Sequence, residues 1–278
     1  MQISICITNY KTDNLISLNK NWIQSLNKNI ELEFIIGCNT PYKDLDIATI
    51  LVDSVPDEDC LMNSKNTQDI SLWGKKKSGN QHSVSMQKCF RRASFRYLLS
   101  LDPDFFCLIP LSRLVEEIEK RDLAVIGSPH GYVQEFCKHF DFHRSPIGFL
   151  PGPFCTLIDR ERYTESIIFD PRQSDDRFNS WGDKVDTSLP FRESLYKYKY
   201  ETFNVCINNS CSICRELGDQ YMEDQHGKFR GGCERYFFDN KLCGIHYHYR
   251  DGDVSKIRRL LDMHSSQSVY HPLSNFVK

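Results

Sequence analysis

Two carboxylates one residue apart, Asp102-Pro103-Asp104, close the apolar run Tyr97-Leu98-Leu99-Ser100-Leu101. A strand ending this way holds both acids at one edge of a sheet, and open α/β sheets bind ligands along their carboxyl edge. Paired carboxylates there suit a hard divalent cation, which in turn binds a diphosphate. Proline restricts the backbone between the acids. The bland alternative is a solvated turn, because Asp and Pro are ordinary turn residues.

Histidines and cysteines supply the remaining candidate chemistry. In the strand-like stretch from Ile245 to Tyr249, residues two apart share a face. Ile245, Tyr247 and Tyr249 therefore take one side and His246 and His248 the other, which leaves a pair of ligands open; His246 is the preferred metal candidate. His82 stands at the start of a helical pattern, free to meet a phosphate or simply to face solvent. Lys75-Lys76-Lys77 reads as a solvated charge patch. Of the 12 cysteines, Cys6, Cys38, Cys107 and Cys155 stand alone in apolar runs and read as core. Cys206, Cys211, Cys214 and Cys233 are different: one C-x-x-C with two flanking thiols could enclose a structural Zn2+. Cys243 or a nearby histidine is an alternative fourth ligand, and free thiols are the competing reading.

The elements that must position these groups alternate between two patterns. Ile3 to Thr8, Leu32 to Gly37 and Thr49 to Asp53 are short apolar runs, as in strands buried on both faces. Leu15, Leu18, Trp22, Ile23 and Leu26 make a helical stripe, with Thr12 or Asp13 as N-cap. Met86, Cys89, Phe90, Ala93 and Tyr97 make a second helix, and Leu114, Val115 and Ile118 a third, capped by Ser112. Ala124 to Gly127 and Phe154 to Ile158 are further strands, and Asp186 to Tyr198 is helical. Residues 54–81 and 170–184 are polar loops, and 206–235 resembles an insertion more than a sheet layer. Repeated β-α-β units predict a mostly parallel sheet with right-handed crossovers.

Length and charge narrow the classes. The 278 residues suffice for a core without disulfides. Basic and acidic residues nearly balance, 35 against 37, so no global field points to nucleic acid. The first residues lack a signal-peptide pattern, and no run reaches the ~20 apolar residues of a membrane helix. The expectation is a cytoplasmic protein without a transmembrane segment, peripheral membrane association staying open.

In their order, four features resemble a GT-A-type nucleotide-sugar glycosyltransferase of the family 2 kind. They are Ile3-Ser4-Ile5-Cys6-Ile7-Thr8-Asn9-Tyr10 as first strand, Leu32 to Asn39 as second, Gly79-Asn80-Gln81-His82 opening a helix, and Asp102-Pro103-Asp104. The match covers roughly residues 1–130. It implies a GT-A-like fold, with a Rossmann-type, mostly parallel central sheet flanked by helices; a Cys-rich C-terminal insertion is expected besides. Residues 1–130 would form the nucleotide-sugar-binding half. Residues 131–278 would form the acceptor-binding half, with the Cys-rich segment 206–243, in one continuous domain.

The resemblance also implies roles. Thr8, Asn9, Tyr10, Asn39, His82 and Asp102 would line the nucleotide-sugar site, Asn39 standing where the family commonly has an acid. Asp102, Asp104 and His246 would hold Mn2+ or Mg2+. An inverting transfer needs a base for the acceptor hydroxyl; Asp186 is the first choice and Asp183 the second, with helix N-capping as the other reading of Asp186. The implied activity is hexosyl transfer from a nucleoside-diphosphate sugar to a glycan or lipid-linked hydroxyl, in cell-surface polysaccharide synthesis. Two other readings compete: a zinc-stabilised binding module on an α/β scaffold, and a GT-A-like nucleotidyltransferase. The latter normally has a glycine-rich basic loop where this chain has Asn9-Tyr10-Lys11-Thr12.

Overall fold

Strand β1 (Gln2–Asn9) is buried from Ile3 to Asn9, and its neighbours account for that. It pairs in parallel with β2 (Glu31–Cys38) on one side and with β4 (Tyr97–Leu101) on the other. The structure is a computed structural model that describes residues 1–43, 49–55, 79–129, 150–165, 189–206, 233–239, 241–247, 254–255, 257–258 and 261–262. Within these, the side chains of 79–83, 189–190, 193, 205–206 and 233–235 lie outside the description.

Seven strands form the main sheet in the order β3-β2-β1-β4-β7-β6-β8, adding β3 (Thr49–Asp53), β6 (Val125–Pro129), β7 (Pro151–Asp159) and β8 (Tyr200–Thr202). Among the described residues, only β7 runs against the others, antiparallel to both β4 and β6. The expected mostly parallel sheet is thus borne out. Its continuous apolar runs follow from burial on both faces. On one face Ile5, Ile7, Leu99 and Leu157 meet Ile16 and Ile23 of helix α1 (Asp13–Leu26) and Leu114 and Ile118 of α3 (Leu111–Arg121). On the other, Cys6, Ile35, Leu98 and Ile158 meet Met86, Cys89 and Phe90 of α2 (Gly79–Arg92), and Phe191 of the short α4 (Leu189–Ser194). Gly37 lets α2 approach β2 this closely: a Cβ there would lie 2.5 Å from Ser85 Cβ.

A second, antiparallel sheet runs in the order β5-β11-β10-β9, from β5 (Phe105–Cys107), β9 (Asn204–Cys206), β10 (Cys233–Phe238) and β11 (Lys241–Tyr247). Beneath it, Phe106, Ile245 and Tyr247 pack with Ile257, Leu261 and Leu15. Helix α1 therefore buries two stripes. Ile16 and Ile23 face the main sheet, while Leu15, Leu18 and Trp22 face the small one.

Several local expectations need correction. The segment 206–235 is not wholly an insertion, because both its ends lie in strands of the second sheet. Helix α2 stops at Arg92, and Tyr97 belongs to β4. Ser112 does not cap α3; Pro110 holds the cap position, and the Leu111 N–H is taken by Asn27 Oδ1 at 2.8 Å. Thr12 does precede α1 but makes no side-chain cap bond. Instead Asn9 Oδ1 accepts the Thr12 N–H at 3.1 Å. The helix expected from Asp186 to Tyr198 is described as α4 followed by a single 3-10 turn, Leu195–Lys197.

Candidate metal and donor site

Strand β4 delivers Leu101 to the carboxyl edge, and the chain turns at once. The Phe105 N–H closes the turn on Asp102 O at 3.1 Å, while the Asp102 N–H is held by Phe154 O of β7 at 2.8 Å. The turn then becomes β5 and enters the second sheet. There Phe105 pairs with His246 of β11, and the Tyr247 N–H bonds Asp104 O at 2.9 Å. That register brings a histidine 142 residues away to the two acids.

His246 Nε2 lies 3.2 Å from Asp104 Oδ1 and 3.8 Å from Asp102 Oδ2. One ligand atom from each residue falls within 4.8 Å of the others. An ion held at ~2.1 Å spaces adjacent ligands by ~3 Å, so the group fits a single divalent cation. Burial is graded: the His246 side chain is 3% exposed, those of Asp102 and Asp104 20% and 17%. The imidazole is fixed between Phe105 and Phe154, with ring centroids 5.8 and 5.1 Å away. Gly244 keeps Phe105 there, since a Cβ would stand 2.6 Å from its Cζ.

The edge of β1 continues the site. Ile7 pairs with Leu101, so Thr8 follows where Asp102 follows on β4. Thr8 and Asn9 are buried and Tyr10 is exposed. The Asn9 side chain works inward: its Nδ2 donates to Asp13 Oδ1 at 2.9 Å and to Thr40 O at 3.2 Å. Its main-chain oxygen accepts the Asn39 N–H at 3.0 Å. Asn39 Oδ1 accepts a short bond from the Ser85 hydroxyl. Sheet order reverses between β1 and β4, the crevice where open α/β sheets take ligands.

The structure thus brings Asp102, Asp104 and His246 together, with Thr8, Asn9, Tyr10 and Asn39 along the neighbouring strand ends. His82 lies in the first turn of α2, its side chain outside the description. Asp183, Asp186, His248, Cys211 and Cys214 lie outside the described residues, as do the side chains of Cys206 and Cys233. Cys243 is buried in the core, where burial pushes its thiol well above the ordinary range. Cys107 and Cys155 meet at 3.4 Å between the sheets. Sequence reasoning missed Asn19 and Phe154, which touch the turn and the histidine. Asn19 carries a readable signal, a polar residue on the Ile16–Ile23 face of α1.

No protein-family profile and no curated protein sequence matches the chain. Among solved structures, the galactosyltransferase LgtC, in complex with donor and acceptor sugar analogs, is similar over 100% of both chains at 12% identity, with a TM-score of 0.50. The fold is therefore the GT-A-like fold of that enzyme. A second similar structure is the mannosyltransferase PcManGT from Pyrobaculum calidifontis with GDP-Man and Mn2+, at 12% identity and TM-score 0.42 over 72% of this chain and 54% of that one. A third is S. aureus TarS 1-349, at 14% identity and TM-score 0.41 over 73% and 60%. The chain spans little more than half the length of these last two.

Proposed function

We propose that this protein is a metal-dependent glycosyltransferase, moving a sugar from a nucleoside diphosphate to a hydroxyl of a glycan or lipid-linked acceptor. The Asp102–Asp104–His246 cluster at the carboxyl edge carries this reading. It lies at the topological switch point of a fold shared with a galactosyltransferase crystallised with donor and acceptor analogs. The resemblance read from the sequence supports cell-surface polysaccharide synthesis as the setting of this proposal.

Each residue has a task in this reading. Asp102, Asp104 and His246 would hold the ion. When bound, a divalent cation supplies Lewis-acid stabilisation of the charge that builds on the departing diphosphate. An imidazole ligand departs from the all-oxygen shell that Mg2+ usually takes, which makes Mn2+ the first ion to test. Phe105 and Phe154 keep water from the buried side of His246 and fix its ring. Thr8, Tyr10, Asn39 and His82 would meet the nucleotide, with Asn9 shaping the strand end. Asp186, or Asp183 in its place, would take the proton from the attacking hydroxyl. The Cys206, Cys211, Cys214 and Cys233 zinc site is a separate structural proposal, tested by metal analysis of purified protein and of Cys211→Ser.

Calorimetric titration with UDP and with GDP, each with Mn2+ and with chelator, tests the central claim. Metal-dependent binding of one nucleotide is expected. Its absence for both would sink the reading. Asp186→Asn should then abolish transfer while leaving that binding intact.

A further inference from the structure

The carbonyl oxygens of the acidic turn are held from three directions. Asp102 O accepts within the turn and Asp104 O accepts from β11. The other two, Pro103 O and Phe105 O, accept from a single group, the Nδ2 of Asn19 on α1, at 3.3 and 2.7 Å. Asn19 is 0% exposed and comes from 84 residues earlier in the chain. Both partners are acceptors, so the amide orientation is dictated. Its Oδ1 then points elsewhere and meets no donor among the described residues. A buried acceptor left this way is costly. A leucine would fill the same stripe without that cost, so packing alone does not explain the amide. Its two bonds to the turn do.

We infer that Asn19 is a positioning residue for the metal-binding carboxylates. The Pro103–Asp104 peptide is held by Asn19 and the Asp104–Phe105 peptide by the Tyr247 N–H. Both peptide planes beside the Asp104 Cα are thereby fixed, and with them the direction in which its carboxylate leaves the chain. Groups behind metal ligands typically change affinity by ~10–100-fold when removed. Trp22 provides the internal control. One turn further along α1, its Nε1 donates to Cys107 O at 2.5 Å, the same kind of helix-to-β5 bond but beyond the turn.

This inference rests on the metal reading above, and the test separates the two. Mn2+ is titrated into the full chain and followed by loss of the free-ion EPR signal, alongside metal-free thermal unfolding. The proteins are wild type, Asn19→Leu, Asn19→Ser and Trp22→Phe. Asn19→Leu should weaken Mn2+ binding by ~10–100-fold, with a changed EPR line shape for the ion that still binds. Asn19→Ser should do the same and serves if the leucine variant fails to fold. Trp22→Phe should lower the unfolding temperature yet keep wild-type affinity. Folded Asn19 variants with wild-type Mn2+ affinity overturn the positioning role, as does a Trp22→Phe loss of equal size. Wild-type protein that binds no Mn2+ overturns the metal reading itself, and the inference with it.

Discussion

Strands β4 and β7 lie side by side, and acidic side chains stand at both ends of the pair, in unlike company. At the carboxyl end Asp102 and Asp104 face the imidazole of His246. At the amino end, ~16 Å away by strand rise, Asp159 is fully buried opposite Tyr97. It takes Arg96 Nε at 2.9 Å, Arg96 Nη2 at 2.7 Å, the Glu161 N–H at 3.0 Å and a short bond from Arg162. Glu119 joins both guanidinium groups at 2.7 and 2.8 Å and accepts the Tyr97 hydroxyl. The amino end matches carboxylates with fixed cations of the chain itself. The carboxyl end gathers two acids around an imidazole nitrogen, the arrangement we propose for a divalent cation. One end stabilises the fold, the other is the metal site we propose, and substitutions should separate them.

The largest effect is expected at the binding end. Asp104→Ala should weaken Mn2+ by more than the ~100-fold that loss of a group behind the ligands can cost. Metal-free stability should move by less than ~1 kcal/mol, and calorimetry with urea unfolding measures both. An equally large loss of stability would break the comparison. Next comes Asp159→Asn, which replaces the buried charge between two guanidinium groups with a neutral amide and leaves them Glu119. Because both arginines are partly exposed, we expect ~2–3 kcal/mol rather than the full cost of a broken buried pair. Unchanged Mn2+ affinity would sharpen the contrast.

Acid should act on the stabilising end in a defined window. The bonds from Arg162 and Tyr97 hold the Glu119 carboxyl down at about 2. Burial raises the Asp159 carboxyl more than any single partner lowers it, yet Arg96, the Glu161 N–H and Arg162 together keep it below its ordinary value. Both folded values lie below the ~4 of an unfolded carboxyl. Their contribution is therefore complete above pH ~4 and is lost as pH falls below it, for Glu119 through about 2. Unfolding temperatures from pH 6 to pH 2 should fall in that interval, less steeply in Glu119→Gln. The smallest effect is Tyr97→Phe, which removes one hydroxyl bond to Glu119 and should cost ~1 kcal/mol without touching metal affinity.

What the sequence made legible follows from how local each signal is. The strands of the parallel half declared themselves as unbroken apolar runs, and Thr49–Asp53 was placed to the residue. The acid pair and His246 were also readable, because residue type and strand phase are local properties. Of the second sheet, only part of β11 was, through the strand-like stretch from Ile245. Strand β5 has three residues, and β9 and β10 flank a polar, cysteine-bearing stretch, so neither shows a period-2 pattern long enough to notice. Asn27 capping α3 and Asn19 holding the turn are bonds across 84 residues or more, invisible to any window of sequence. Both are asparagines at buried positions, which is the one local trace such a bond leaves.

The return of β11 to the acidic turn has a consequence for how the protein is made. The contact between His246 and Asp104 spans 142 residues, a long-range closure whose entropic cost places it late in folding. A chain emerging from synthesis displays its two aspartates long before its histidine, so the full set of proposed ligands exists only once β11 has docked. The proposed ion would then report completion. At a hundredfold excess over its dissociation constant it would favour the finished fold by ~2.7 kcal/mol. Partly folded chains lack the Asp102–Asp104–His246 cluster, so under the proposed function activity would arrive together with the native state.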